Sequence, residues 1–404
     1  MRILFVSEHY FPIIGGSTTY VEKLCKNLTK VGCDVYLVTI PDDLHKNETW
    51  SFDEGIHIFH LNIPKIWRKE RYFPLFLNKK LKEIIEYVNP DIVHIGYGYF
   101  SPLITIFNKE INKVPVIWTI HNVPPAEHKF ELFNIIPPLN CILKNMYFTL
   151  CDIYSRFLFK IAKYDVIVSV SQKTADLAIL KGANRKNIRV IPNGVDSNLY
   201  NPHLDLQKIK KELNLEKYEY VVLNVAGFIP HKGQNILLNS IPKVLQFYPK
   251  TVFIMIGPIR SEEYYNGLNK LIKDLNISNN VKLLSNISSP ILCKYFHISD
   301  VYIQPSFEEG FCISILEGMS YSKPVIGSKT GAIPEFILKS EGGILLDSVS
   351  SEQISNSIVD LISKPSISND MGTKARDYVV RQYSWKNIAN KTLDLYNELC
   401  NNIK

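Results

Sequence analysis

Val221-Val-Leu-Asn-Val-Ala226, running directly into Gly227-Phe-Ile-Pro-His231-Lys232-Gly233-Gln-Asn-Ile236, decides the fold of this chain. An apolar run that does not alternate suits a strand buried on both faces of a parallel sheet. The glycine-flanked turn after it opens a helical stretch, which makes one strand–loop–helix unit of an open α/β domain. The amino terminus repeats the grammar: an apolar run at 3–6, the loop Tyr10-Phe-Pro-Ile-Ile-Gly15-Gly16-Ser-Thr-Thr-Tyr20, then a helical stretch over 17–30.

Further strands are expected at 34–39, 56–61, 91–95, 116–120, 166–170 and 188–190, with helical stretches at 75–87 and 139–163 between them. After the turn cluster Pro192-Asn193-Gly194 the pattern restarts, with strands at 220–225, 251–256, 281–284, 301–304, 324–326 and 343–346. The class is therefore α/β, with two doubly wound parallel-sheet (Rossmann-like) domains facing across a cleft. The expected division is 1–195 as a first domain, 196–380 as a second, and 381–404 as a final helix that packs back on the first domain. The boundary is expected near 192–215.

The composition is that of an ordinary folded protein. At 404 residues the chain suggests two domains of about 200 residues each. With 46% hydrophobic and 21% charged residues, disorder is not the default. A net charge of +7 suits a phosphorylated substrate or an anionic surface, and is too dispersed to argue for nucleic acid. Seven cysteines form no C-x-x-C pair, which points away from disulfides and structural zinc and toward a reducing compartment. The apolar run after Met1-Arg2 is too short for a signal peptide, and no run is long enough to span a bilayer. The expected location is cytoplasmic, with peripheral contact at the inner membrane face left open.

Glu309 and Glu317 carry the chemistry most clearly, in Pro305-Ser-Phe-Glu-Glu-Gly-Phe-Cys-Ile-Ser-Ile-Leu-Glu317. A turn-rich opening leads into a helix, so Glu309 lies at or before the helix start and Glu317 about two turns further along. Ionised carboxylates are acceptors that suit vicinal hydroxyls, and the helix start between them is a seat for phosphate. Lys232, just ahead of another helix, can set its ammonium against a departing diphosphate, with His231 beside it as a further donor. His121, in Thr119-Ile-His121-Asn122, ends a strand at the edge where open α/β sheets hold ligands. The Gly15-Gly16 pair lets backbone N–H groups approach an oxyanion. Its spacing is not G-x-G-x-x-G, which weakens a dehydrogenase reading.

In order along the chain, these elements resemble the large retaining glycosyltransferase family often called family 4 (glycosyl transferases group 1), with its GT-B architecture. The elements are Gly15-Gly16, His121, Ile191-Pro-Asn-Gly-Val-Asp196, Gly227…Lys232-Gly233, Pro305-Ser306, Glu309-x7-Glu317, Lys323-Pro-Val325, Lys329-Thr-Gly-Ala-Ile-Pro-Glu335 and Tyr383-Ser-Trp385. The resemblance implies that Lys232 contacts the donor diphosphate and Glu317 the ribose. It implies that Glu309 reaches the transferred sugar, with Gly310 and Phe311 adding backbone contacts, and that His121 lies beside that sugar. Gly15 and Gly16 would face phosphate or acceptor. It implies no metal and no separate cofactor, the nucleotide diphosphate sugar being a substrate. The chain departs from the family at Phe228, where the resemblance leads one to expect Arg, and at Cys312, commonly a small residue.

The implied reaction moves a hexosyl unit to a glycan, lipid-linked or other hydroxyl acceptor. Two rivals share the architecture: a nucleotide-sugar epimerase, and a non-catalytic binding homologue motivated by Phe228. Two stretches are candidates for contact with an anionic membrane. One is the apolar stripe of 139–163, with Lys144, Arg156, Lys160 and Lys163 among its polar positions, which also reads as an ordinary packing helix. The other is Lys65-Ile-Trp-Arg-Lys-Glu-Arg-Tyr-Phe73, which also reads as a solvated basic loop.

Overall fold

The computed structural model describes residues 1–8, 10, 15–40, 49–61, 73–97, 101–107, 111–123 and 138–401. The chain divides into two compact units: Met1–Gly194 with Trp385–Lys404, and Val195–Ser384. The expected stretch 65–73 lies almost wholly outside the described residues, as does much of the loop after the first strand.

The first unit is built on strands β1 (Arg2–Ser7), β2 (Asp34–Thr39), β3 (Thr49–Asp53), β4 (Ile56–His60), β5 (Ile92–Tyr97), β6 (Val116–Ile120), β7 (Val166–Ser169) and β8 (Ile188–Val190). Their order in the sheet is β3-β4-β2-β1-β5-β6-β7-β8. All neighbours are parallel except the β3/β4 hairpin. Alternate residues of β1 feed two cores, as the two-residue period of a strand requires. Ile3 and Phe5 join Leu24, Leu28, Ile388 and Tyr396, under the helices Gly16–Lys30 and Trp385–Asn401. Leu4 and Val6 join Leu77, Leu81, Leu158 and Phe159, under Phe73–Val88 and Pro138–Ile161.

Strand β3 has no counterpart in the sequence reading. Its residues are mostly exposed, so no apolar run marks it. Its signal is the turn at Glu54-Gly55, where both residues have positive φ (43° and 86°), the geometry of a tight two-residue hairpin.

The second unit carries β9 (Tyr220–Val225), β10 (Thr251–Ile256), β11 (Val281–Leu284), β12 (Val301–Gln304), β13 (Val325–Ser328) and β14 (Gly343–Leu346), wholly parallel in the order β11-β10-β9-β12-β13-β14. The strand order reverses between β9 and β12. In open α/β sheets ligands bind outside the carboxyl ends at such a point. In the first unit the reversal falls between β1 and β5.

The final helix belongs to the first unit, packed along Gly16–Lys30. Its first residue, Trp385, lies so close to Gly194 that a Cβ there would run into the indole. The small residue in Pro192-Asn193-Gly194 thus serves this contact.

Candidate active site

The loops after β9 and β12 come together because those strands are neighbours, although their residues lie more than seventy positions apart. Gly233 sits at φ +71°, and a Cβ on it would collide with the Pro305 carbonyl oxygen, so only glycine allows this junction. Phe307 N donates to His231 O at 2.8 Å, a second tie. The loop after β13 closes the group. Gly331, at φ +54°, packs where a Cβ would lie 2.6 Å from Glu309 O, and Ser328 Oγ donates to Ser306 O at 2.5 Å.

At this junction Lys232 Nζ donates to Glu309 Oε1 at 2.8 Å, with side-chain exposures of 20% and 7%. The same oxygen accepts from Ser306 Oγ at 2.8 Å and from Gln304 Nε2 at 3.3 Å. Gln304 is fully buried and its amide is fixed from both ends. Its Nε2 also donates to Ser306 Oγ at 2.8 Å, while its Oε1 accepts from Tyr302 OH at 2.9 Å and Ser314 Oγ at 3.4 Å. All these bonds to Glu309 use Oε1, so the carboxylate is held in one orientation. Burial alone would depress the Lys232 ammonium, but the Glu309 charge beside it wins and holds it above its ordinary value. His231 goes the other way: burial and the adjacent Lys232 lower it, so near neutral pH it is an uncharged donor rather than a second cation.

The helix Ile313–Ser320 starts three residues after Gly310, with Cys312 as N-cap at φ +74° and no side-chain cap. This position demands left-handed backbone, which explains why a small residue suits it and costs cysteine about 1 kcal/mol. Glu317 is the fifth residue of the helix, a little over one turn in and half-buried. Phe311 is 5% exposed, and its ring packs edge-on against Phe336 at 5.0 Å, so only its backbone is available to a ligand. The helix beside Lys232, Gln234–Phe247, likewise has no side-chain cap, whereas Ser261 and Ser350 cap the helices Glu262–Asp274 and Ser351–Ser363. The two helix starts next to the ion pair thus present N–H groups that no capping side chain satisfies.

Phe228, where the resemblance leads one to expect Arg, is turned away from this group of residues. Its ring is fully buried in the core of the second unit, edge-on to Tyr265 at 5.0 Å. A parallel bridge between Phe228 and Ile259, with Phe228 N donating to Pro258 O at 2.9 Å, turns this side chain inward. An arginine here would enter the core, not the site. The residue beside it, Gly227, lies against exposed Arg260, whose Cγ would be 3.3 Å from a Cβ at that position.

In the first unit, His121 ends β6 with Nε2 paired to Gly96 O at 2.9 Å and its ring edge-on to Tyr20 at 4.7 Å. Burial pushes it down to about 4, against the raising effect of that carbonyl, so the ring is neutral and Nε2 is the donor. Behind it lies a buried chain that no sequence motif signalled. Tyr20 OH meets Thr119 Oγ1 at 3.1 Å, His94 Nε2 meets the same oxygen at 2.6 Å, and His94 Nδ1 meets Tyr396 OH of the final helix at 2.5 Å. Gly15 is the N-cap of Gly16–Lys30, with an extended backbone that any residue could adopt. Its carbonyl accepts from Thr18 Oγ1 at 2.8 Å and Thr19 N at 2.9 Å, and Gly16 is exposed at the helix start. The sequence-derived residues therefore fall into two sets, Lys232, Glu309, Gly310, Phe311 and Glu317 in one unit, and Gly15, Gly16 and His121 in the other.

Among the described residues no cluster of three or more His, Cys, Asp or Glu side chains could hold a metal, and no helix is long and apolar enough to cross a membrane.

Comparison with known proteins adds to this geometry. Residues 14–199 match the family described as Glycosyltransferase Family 4, and residues 205–378 match Glycosyl transferases group 1. The chain is 26% identical over 99% of both lengths to an uncharacterized glycosyltransferase of Methanocaldococcus jannaschii. It is 22% identical, over 96% of this chain and 94% of the relative, to N-acetyl-alpha-D-glucosaminyl L-malate synthase of Bacillus anthracis. Among solved structures, sucrose-phosphate synthase of Thermosynechococcus elongatus superposes with a TM-score of 0.80 at 20% identity, covering 98% of each chain. Anabaena HepE in complex with UDP-glucose gives 0.78 at 19% identity, over 99% of this chain and 100% of that one. Taken with the two switch-point sheets, these matches make the chain a glycosyltransferase of group 1 and family 4, with the GT-B fold.

Proposed function

We propose that the protein moves a hexosyl unit from a nucleotide diphosphate sugar to an acceptor hydroxyl with retention of anomeric configuration. The observation that carries this reading is the Lys232–Glu309 pair, set at the β9/β12 switch point between two helix starts without side-chain caps. We assign the donor to the second unit. Its diphosphate would lie against Lys232 and the uncapped helix starts, its ribose on Glu317, and its sugar hydroxyls on Glu309 Oε2. The relative HepE is bound to UDP-glucose, which supports a donor of this class.

Bond breaking would be driven by charge. As the anomeric bond lengthens, negative charge grows on the leaving diphosphate, where a fixed ammonium and oriented amides stabilise it more than they stabilise the ground state. Glu309, held through Oε1, supports the cation and orients the sugar. The acceptor hydroxyl then attacks from the face the diphosphate leaves. We assign the acceptor, a glycan or lipid-linked hydroxyl, to the first unit, near neutral His121 and the Gly15-Gly16 helix start.

Because a lysine and helix dipoles supply the stabilising charge, and the sequence has no Asp-x-Asp pair, we propose that turnover needs no divalent metal. The test is incubation with a panel of nucleotide sugars with and without acceptor glycans, read by mass spectrometry, with EDTA in parallel. Transfer only when acceptor is present, unchanged by EDTA, is the expected result. Sugar released or inverted from donor alone would favour the epimerase, and loss of turnover in EDTA restored by magnesium or manganese would overturn metal independence.

A further inference from the structure

The loops after β9 and β10 continue as a ladder beyond the ends of the two strands. Ala226 N donates to Ile256 O at 2.9 Å and Phe228 N to Pro258 O at 2.9 Å, while Arg260 N and Ser261 N donate to Phe228 O at 3.3 and 3.2 Å. Neighbouring side chains on such a ladder point to opposite sides. Phe228 and its bridge partner Ile259 face the core of the second unit, so Gly227 and Arg260, one position from each, face outward. A Cβ on Gly227 would lie 3.3 Å from Arg260 Cγ, which places the stem of exposed Arg260 over the glycine.

Gly227 opens the same turn that carries Lys232. Its carbonyl accepts at 3.0 Å from Nε2 of fully buried Gln234, the first residue of the helix Gln234–Phe247. The glycine under Arg260 is thus tied to the helix start that follows Lys232. The segment bearing Arg260 is braced as well. Ser261 caps the helix Glu262–Asp274, accepting from Tyr264 N at 3.2 Å, and Tyr265 packs edge-on to Phe228. What the turn lacks is charge. Within residues 227–233 Lys232 is the one cationic side chain, because burial and Lys232 itself keep His231 neutral. A diphosphate spreads more than one negative charge over two phosphoryl groups, and a single ammonium is a point charge that meets only part of it.

We propose that Arg260 supplies the second cation for the donor diphosphate, reaching over Gly227 from the loop after β10. A guanidinium presents a planar fork that can bridge oxygens of both phosphoryl groups, which an ammonium cannot do. Its stem rests on Gly227, so part of the side chain is ordered before the ligand arrives, and less freedom is lost on binding. Glycine at 227 then has a reason of its own, since a side chain there would compete with Arg260 for the same place. The inference rests on the proposed assignment of the donor to the second unit, and the experiment below separates the two.

The test is calorimetry on the full chain with UDP, GDP and ADP, continued with whichever binds most tightly. Arg260→Gln should weaken that diphosphate by about tenfold or more, and the gap from wild type should narrow as salt rises. Arg260→Lys, which keeps the charge without the fork, should fall between the two. Arg260 is exposed, so the melting temperature should stay at its wild-type value. The most discriminating variant is the swap Gly227→Arg with Arg260→Ala. The backbone of Gly227 lies outside the left-handed region, and Arg260 Cγ is the nearest atom to a Cβ built there, so truncating Arg260 makes room for the new side chain. The swap should return affinity to within about threefold of wild type, because the guanidinium then arrives from the other side of the same contact. Full affinity in Arg260→Gln, with Lys232→Ala weakened, would overturn this proposal and leave the donor site standing. A loss that neither Arg260→Lys nor the swap recovers would overturn it as well, as the mark of a structural role. No binding of any of the three diphosphates to the wild type would overturn the donor assignment and this inference with it.

Discussion

The two units answer the same topological problem with different chemistry. At its switch point the Val195–Ser384 unit keeps full charges, Lys232 and Glu309, matched at 2.8 Å and braced by Gln304 and Ser306. The other unit fills the region behind its strand ends with uncharged groups, Tyr20, Thr119, His94 and Tyr396, and lowers both buried imidazoles far below their ordinary range. Matched charge can be re-partnered by an incoming anion, so the first arrangement suits a site that binds and releases a diphosphate. A neutral network offers no such exchange and fixes shape. The net charges follow suit, zero against +7.

Phe228→Arg probes the second unit most severely. A family-based expectation would have this change add a phosphate contact, but the ring is fully buried against Tyr265. Burying an unpaired guanidinium there should cost about 4 kcal/mol or more. Chemical denaturation should show a large loss in this unit, with donor affinity falling rather than rising. Stability held at wild type with tighter donor binding would mean the side chain reaches the site after all.

Acid should act on the first unit through its two buried imidazoles. His94 lies at about 3 and His121 at about 4, both below 6.5 because burial penalises the cation. A group lowered in the folded state binds protons first in the unfolded one, so stability is complete above pH 6.5 and declines as pH falls toward 4. By pH 5 the loss is about 2 kcal/mol per histidine. Hydrogen exchange of the strands β1, β5 and β6 at pH 7 and pH 5 reads this directly. His94→Gln, which cannot titrate, should flatten the decline, and an unchanged slope would place the acid sensitivity elsewhere.

Glu309→Gln tests whether matched charge is the working feature of the second unit. Freeing Lys232 from its partner should tighten nucleoside diphosphate binding, while turnover falls by about tenfold to a hundredfold, because the sugar loses its oriented carboxylate. The Lys232 ammonium should also drop toward its burial-depressed value, so activity should be lost at a lower alkaline pH than in the wild type. Binding and turnover falling together would instead indicate a simple contact.

Much of this was legible in the sequence, for a physical reason. Strands buried on both faces read as mainly apolar runs, so β9, β10 and β12 stand out with their observed bounds, and the half-buried edge strands β11 and β14 are apolar enough to be found with theirs. The exposed edge strand β3 lacks that signature and was missed. Glycine positions were visible as motifs, but their causes were not. Gly233 answers to Pro305 and Gly331 to Glu309, contacts set by which strands are neighbours. The Lys232–Glu309 pairing depends on the same adjacency, which no local pattern encodes. The inward turn of Phe228 was not legible either, because a family pattern fixes a position in the chain, whereas the direction of a side chain depends on the Phe228–Ile259 bridge.

The central claim is that the second unit holds the donor through Lys232 at the diphosphate and Glu317 at the ribose. Calorimetry with a nucleoside diphosphate on the wild type, Lys232→Ala and Glu317→Ala tests it most directly. Loss of one charge-assisted contact should cost about 1.5–3 kcal/mol, so each variant should bind at least several-fold more weakly at unchanged melting temperature. Wild-type affinity in both variants would contradict the account.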